Sequence, residues 1–260
     1  MRIARFAGDD DPRFGVIGDD NGVPTIAVLN GDPLYAGLNL SGQKIPLADV
    51  RLLAPVIPRS KVVCVGRNYA KHAAELGNDV PEEPLIFLKP NTSVIGPGEP
   101  IFYPEQSSNV HFEGELAVVI GRICRDVPVE DAKKVIFGYT VANDVTARDL
   151  QAKDGQWARA KGFDTFCPLG PWIETDFDPS DVQVTTRLGD DLKQDGRTSD
   201  MVFTVPDVIA YVSSFMTLLP GDVILTGTPD GVGPMQVGDS VSVTVEGIGT
   251  LTNQVVSRND

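Results

Sequence analysis

The stretch from His111 to Asp144 constrains this chain more than any other. It holds two apolar runs, Leu116–Ile120 and Val135–Val141, with acids at their ends: Glu113-Gly114-Glu115 leads into the first and Asn143-Asp144 follows the second. Side chains of an extended strand alternate between faces with a period of two. Glu113 and Glu115 therefore project to one side, with only a glycine between them. Two parallel carboxylates repel unless a cation or a shared proton joins them. Asp144, at the end of the next strand-like run, is placed to supply a third oxygen. Three carboxylates with no neighbouring Cys or His ligand suit a hard, octahedral cation such as Mg2+ or Mn2+. A Glu-x-Glu pair alone reads more simply as a solvated strand face, so the weight comes from the rest of the chain.

The 260 residues suffice for one large domain, or one domain and a small appendage. The 26 glycines and 20 prolines imply many turns and favour a strand-rich fold over a helical bundle. Acidic residues outnumber basic ones 36 to 22, a formal charge of −14 that repels phosphate backbones and argues against a nucleic-acid partner. An anionic substrate would need local basic residues to overcome that field. Cys64, Cys124 and Cys167 are far apart and form no C-x-x-C pair, so buried reduced thiols in a cytoplasmic protein are expected. Met1–Asp11 lacks the apolar segment of a signal peptide. No run approaches the ~18 apolar residues that cross a bilayer, so no membrane partner is expected.

Residues 1–55 read as a small β-rich N-terminal domain, with strands at Ile3–Phe6, Phe14–Ile17 and Pro24–Leu29 between turns. Pro55 and Pro58 bracket the connection to a main domain over residues 61–258. There Lys61–Val65 is a strand, and Arg67–Gly77 predicts a two-turn helix closed by its glycine. His72 and Glu75 lie three apart on one helical face, the arrangement of a general base and its orienting carboxylate. The plainer alternative is an exposed His–Glu pair. Val129–Lys134 predicts a short helix, and Arg148 and Gln151, again three apart, can face one site. Lys161, before a glycine, fits an anion contact at a strand or loop end. Val205–Phe215 has the spacing of a helix packed on a sheet. Gly227–Pro234 is glycine-dense, which lets backbone N–H groups approach a ligand closely.

Taken in order, these pieces resemble the fumarylacetoacetate hydrolase family over roughly residues 61–256. They are Gly66-Arg67-Asn68-Tyr69, the His72/Glu75 pair, Ile86–Pro90, Glu113-Gly114-Glu115, Asn143-Asp144-Val145, Ala147-Arg148-Asp149, Lys161-Gly162, Leu218–Asp222 and Thr226-Gly227-Thr228-Pro229. The resemblance implies an α+β, β-rich fold, a mixed β-sandwich roll assembled as a homodimer. It implies Glu113, Glu115 and Asp144 as ligands of Mg2+ or Mn2+, and His72 and Glu75 as the dyad that activates water. Lys161 matches a lysine that contacts substrate oxygen, and Thr228 a residue near a substrate carboxylate. Arg148 and Gln151 match substrate-binding positions, and Arg67 and Tyr69 join them as expected substrate contacts. Larger members carry a further acidic ligand before the histidine; Val65–Asn68 has none, which argues against fumarylacetoacetate itself as substrate.

The short N-terminal domain looks more like that of bacterial members acting on small anionic 2-oxo acids. The expected reaction is metal-dependent C–C bond cleavage through a metal-bound enolate, as oxaloacetate decarboxylation or acylpyruvate hydrolysis. The alternative is a 2-hydroxyhepta-2,4-diene-1,7-dioate isomerase. A catalytically silent binding protein is the alternative of another class. With three carboxylates against one dication, the site is expected to carry about −1, to be offset by Lys161 with Arg148 or Arg67.

Overall fold

The computed structural model describes residues 1–258. Its strands form sheets of twelve, five and three. The large sheet runs, in spatial order, Leu85–Lys89, Val62–Gly66, Val223–Leu225, Gly114–Ile120, Ile136–Asn143, Cys167–Glu174, Arg2–Phe6, Arg13–Asp20, Val23–Leu29 and Leu40–Pro46. Val62–Gly66 and Val223–Leu225 are parallel, and the other pairs along this path are antiparallel. Two-residue strands at Leu52–Leu53 and Val94–Ile95 complete it.

The Gly114–Ile120 strand lies at the centre because both of its faces are apolar. All seven residues are buried. Leu116, Val118 and Ile120 enter one core with Val208, Ile209 and Val212 of the helix Val205–Phe215 and with Val243 and Val245 of the five-stranded sheet. Ala117 and Val119 enter a second core with Cys64, Leu169, Val223 and Leu225. The period of two thus divides one strand between two cores, as a strand covered on both faces requires. Glu115 shares the parity of Ala117 and Val119.

The five-stranded sheet orders Asp191–Arg197, Gln183–Leu188, Ser240–Val245, Gly249–Ser257 and Ile101–Tyr103. Together the layers form the expected β-rich α+β sandwich. The helix Val205–Phe215 matches its expected bounds and begins with a capping box between Thr204 and Asp207.

Four segments differ from expectation. The helix after Tyr69 spans only Ala70–Glu75, because Arg67 takes a left-handed conformation, φ 57°, that helical residues do not adopt. Val129–Val135 winds as a 3-10 helix. Lys161 ends a helical turn, Ala158–Lys161, rather than a strand or loop. Leu40–Pro46 is an unforeseen strand, exposed over nearly its whole length and so without an apolar alternation to reveal it. The first strand pairs with Cys167–Glu174 through Arg2 opposite Glu174 and Ile3 opposite Ile173, so one sheet runs through residues 1–55 into the rest of the chain. No helix among the described residues is long and apolar enough to cross a membrane.

Candidate active site

The large sheet's central strands deliver three acids to one cavity of about 300 Å3. Glu113 occupies the break between the strands Val110–Phe112 and Gly114–Ile120 rather than a place within a continuous strand. Its backbone is fixed nonetheless: its N–H donates to Asn143 Oδ1 at 2.9 Å, and its carbonyl accepts from the Asp144 N–H at 2.8 Å. Gly114 lies against the second sheet so closely that a Cβ there would sit 2.1 Å from Thr186 Oγ1 and 2.8 Å from Val243 Cγ1. Only glycine lets the Glu-x-Glu segment pack here. Glu115 Oε2 accepts from the Gly227 N–H at 2.7 Å. Gly227 has φ +100°, and a Cβ on it would meet Asn68 Cβ at 2.7 Å.

Glu113, Glu115 and Asp144 are buried and offer carboxylate oxygens within 4.8 Å of one another. Three cations crowd the same oxygens. Lys161 Nζ lies 2.7 Å from Glu113 Oε2 and 2.6 Å from Asp144 Oδ2. Lys89 Nζ donates to Asp144 Oδ1 at 2.6 Å and to the Val145 carbonyl at 3.1 Å. Arg148 pairs with Glu113 Oε1 through Nη2 and donates from Nη1 to Gln151 Oε1 at 2.9 Å. Burial alone would raise the Glu113 carboxyl, but Arg148 and Lys161 outweigh it and hold that group below the usual carboxylate range. Burial lowers Lys161, yet Asp144 and Glu113 more than restore it. Glu115 is the exception. Burial, then the Asp144 and Glu113 charges, push it well above the usual range.

That imbalance is the test of a metal at this position. An all-oxygen donor set, close enough to share one ion and holding one under-compensated carboxylate, fits a hard dication. Glu113, Glu115 and Asp144 would hold it.

His72 lines the cavity and is buried. Its Nδ1 lies 3.4 Å from Glu75 Oε2, which leaves Nε2 for the cavity. Burial lowers its pKa and prevails over the opposing Glu113 and Glu75 charges, so the imidazole is neutral at pH 7. Glu75 stands outside the cavity, where both its oxygens accept the Gly231 N–H at 3.2 Å.

Arg67, Arg148, Gln151, Lys161 and Thr228 all line the cavity. Thr228 Oγ1 donates to the Gly114 carbonyl at 2.8 Å. Tyr69 does not line it, contrary to expectation. Tyr69, just before the helix Ala70–Glu75, forms a β-bridge with Met201 and lines a smaller pocket with Asp195, Asp200 and Asp230. Its hydroxyl is buried with no hydrogen-bond partner among the described residues.

Sequence reasoning missed Lys89 and Gln194. Lys89 closes an apolar strand just before Pro90, a placement that already set it apart from surface lysines. Gln194 gave no signal within its polar hairpin. Its buried amide accepts from the Gly114 N–H at 2.9 Å and donates to Thr228 Oγ1 at 2.7 Å and to the Pro229 carbonyl at 2.8 Å. It thereby joins the acid-bearing segment to the Thr228 loop.

Comparison with known proteins agrees with this geometry. Residues 61–256 match the family described as fumarylacetoacetate (FAA) hydrolase C-terminal, and residues 1–55 match that described as Rv2993c-like, N-terminal. Protein Rv2993c of Mycobacterium tuberculosis is 54% identical over 99% of each chain. Human mitochondrial oxaloacetate tautomerase FAHD2A is 45% identical over 82% of this chain and 71% of its own. A solved 5-carboxymethyl-2-hydroxymuconate delta-isomerase from Mycobacterium smegmatis superposes with a TM-score of 0.92 at 54% identity, covering 99% of this chain and 100% of that one. A maleylpyruvate hydrolase from Sphingobium sp. SYK-6, solved with manganese(II) and pyruvate, gives 0.81 at 36% identity over 99% of both. The chain belongs to the fumarylacetoacetate hydrolase family.

Proposed function

We propose that this chain is a divalent-metal-dependent enzyme that moves a proton at the carbon beside the keto group of a small 2-oxo acid, with keto–enol tautomerisation of oxaloacetate as its reaction. The observation that carries the reading is one small cavity in which a neutral imidazole meets three buried carboxylates, two of them, Glu113 and Asp144, ion-paired with Lys89, Lys161 and Arg148. The name of the 45%-identical human relative favours proton transfer over bond cleavage.

Glu113, Glu115 and Asp144 would hold an ion that would supply Lewis acidity and so acidify the C–H beside the keto group. The chain's own groups do the rest. His72 Nε2 takes the proton from that carbon and delivers it to the keto oxygen to give the enol; in the reverse direction it takes the enol hydroxyl proton and delivers it to carbon. Glu75 accepts from Nδ1–H, fixing the tautomer that leaves Nε2 basic. Lys161 and Arg148 hold Glu113 and Asp144 in place and present N–H groups to substrate oxygen.

Lys161 and Arg148 stand where the −1 expected for three carboxylates and a dication needed an offset, and Lys89 adds a third cation. Lys89, Lys161 and Arg148 balance the three acids, so the charge of a bound dication remains available to an anionic substrate.

The second reading is cleavage of the same substrate class. In acylpyruvate hydrolysis His72 would take its proton from water, and the resemblance to a maleylpyruvate hydrolase favours it. The test is decay of the oxaloacetate enol absorbance with Mg2+ or Mn2+ and with chelator, with product mass determined in parallel. Metal-dependent decay at unchanged mass supports tautomerisation. Pyruvate as product supports cleavage. No metal-dependent change with oxaloacetate or acetylpyruvate overturns both.

A further inference from the structure

The cations that line the cavity are not equivalent. Lys161 and Arg148 are each bound to a carboxylate, as is Lys89 behind them. Arg67 lines the same cavity and has no acidic partner among the described residues. Its guanidinium carbon lies 6.0 Å from the Trp157 ring centroid. Trp157 meets Phe87 edge to face at 5.2 Å, and the Lys161 ammonium lies 4.9 Å from the centre of Phe87. An aromatic wall therefore carries one cation over each of its two rings. The Lys161 end belongs to the carboxylate cluster. Arg67 makes no ion pair with that cluster.

Local structure holds Arg67 there at a cost. Its φ of 57° is unusual for a residue with a side chain. A Cβ on the preceding residue, Gly66, would meet Trp157 Cζ3 at 2.7 Å, so the glycine is what allows the indole to press on this corner. A strained backbone, a glycine under an aromatic ring and a guanidinium without an acid converge on the wall of the cavity that also holds the ion site.

We propose that Arg67 binds the second carboxylate of a dicarboxylic 2-oxo acid and makes the enzyme selective for such diacids over 2-oxo monoacids. This rests on the functional reading above and deepens it. The 2-oxo acid head lies at the carboxylate cluster, the carbon chain lies along Phe87 and Trp157, and the distal carboxylate pairs with Arg67. The charge count agrees: with three acids and three cations cancelled, a dication and Arg67 together present a positive field to a dianion.

The test compares wild type with Arg67→Asn, chosen because asparagine tolerates positive φ, and Arg67→Lys, which keeps the charge. Binding of oxaloacetate and of 2-oxobutanoate, which lacks the second carboxylate, is measured calorimetrically with Mn2+ present. Exchange of the C3 protons into deuterated water is followed separately by NMR. Wild type should bind the diacid more tightly. Arg67→Asn should weaken it roughly 10- to 100-fold, the worth of hydrogen bonds to a charged group, through KM rather than kcat, with 2-oxobutanoate nearly unaffected and Arg67→Lys in between. Equal binding of the two acids by wild type, or equal losses on both in Arg67→Asn, overturns the proposal. Selective binding without proton exchange upholds Arg67 and overturns the tautomerase reading instead.

Discussion

Glu115→Gln separates the two roles that the structure gives this residue. The amide keeps an acceptor for the Gly227 N–H, so the local hydrogen bond survives. What goes is the charge. Without metal, that charge is a liability: burial and the nearby Asp144 and Glu113 raise the Glu115 pKa. A carboxyl raised on folding binds its proton more tightly in the native than in the unfolded state. Its contribution is therefore full below the ordinary carboxylate range and is lost as pH rises through the raised value. Metal-free Glu115→Gln should melt at or above the wild-type temperature at pH 8, with the gap narrowing as pH falls toward the carboxylate range. With metal the order reverses. An ion at a hundred times its Kd stabilises the native state by about 2.7 kcal/mol, which in a chain of this size is roughly 5–10 °C in Tm. Wild type should gain that shift on adding Mn2+, and the variant should gain little of it. Differential scanning fluorimetry across a pH and Mn2+ grid reads both effects. A full Mn2+ shift in the variant refutes the ligand assignment. A metal-free variant several kcal/mol less stable than wild type refutes the claim that this carboxylate is under-compensated.

Four further outcomes are expected. Lys89→Met leaves Asp144 short of a buried partner and should cost about 3–5 kcal/mol in urea unfolding; adding Asp144→Asn should recover much of the loss, and simple additivity would refute the pairing. His72→Ala should abolish proton exchange while leaving Mn2+ binding intact. In wild type, because burial lowers the His72 pKa, the acid limb of kcat/KM should begin below the 6.5 of an unperturbed imidazole, and a limb above it would sink the neutral-base assignment. Gly114→Ala drives a Cβ into Thr186 and Val243; the expected cost is about 1–3 kcal/mol with weakened Mn2+ affinity, whereas normal affinity would mean that Glu113 and Glu115 do not depend on that close packing.

The three acids were legible because each sits at the end of an apolar run and together they form an all-oxygen set, although the Glu-x-Glu pair alone read as a solvated face and Glu113 lies in a break between strands. The His72/Glu75 pair was legible from helical spacing, although only the histidine reaches the cavity. Lys89 and Gln194 were not. Their partners lie 55 and 80 residues away in the chain, at Asp144 and Gly114, and no local pattern encodes which strands will meet. Tyr69 failed for a different reason: proximity to Arg67 in sequence says nothing of direction once Arg67 turns the backbone left-handed. The Leu40–Pro46 strand escaped because, at a solvated margin, pairing comes from the neighbouring backbone rather than from apolar side chains.

The bond between Arg2–Phe6 and Cys167–Glu174 has a practical corollary for anyone trimming this protein. Removing the first 55 residues would bare main-chain N–H and carbonyl groups at Ile173 and Glu174 and uncover apolar surface around Ile173 that Ile3 and Ala54 now cover. Such a raw margin recruits any passing chain. A shortened version would precipitate or exchange segments between molecules unless a substitute cover were engineered onto that flank.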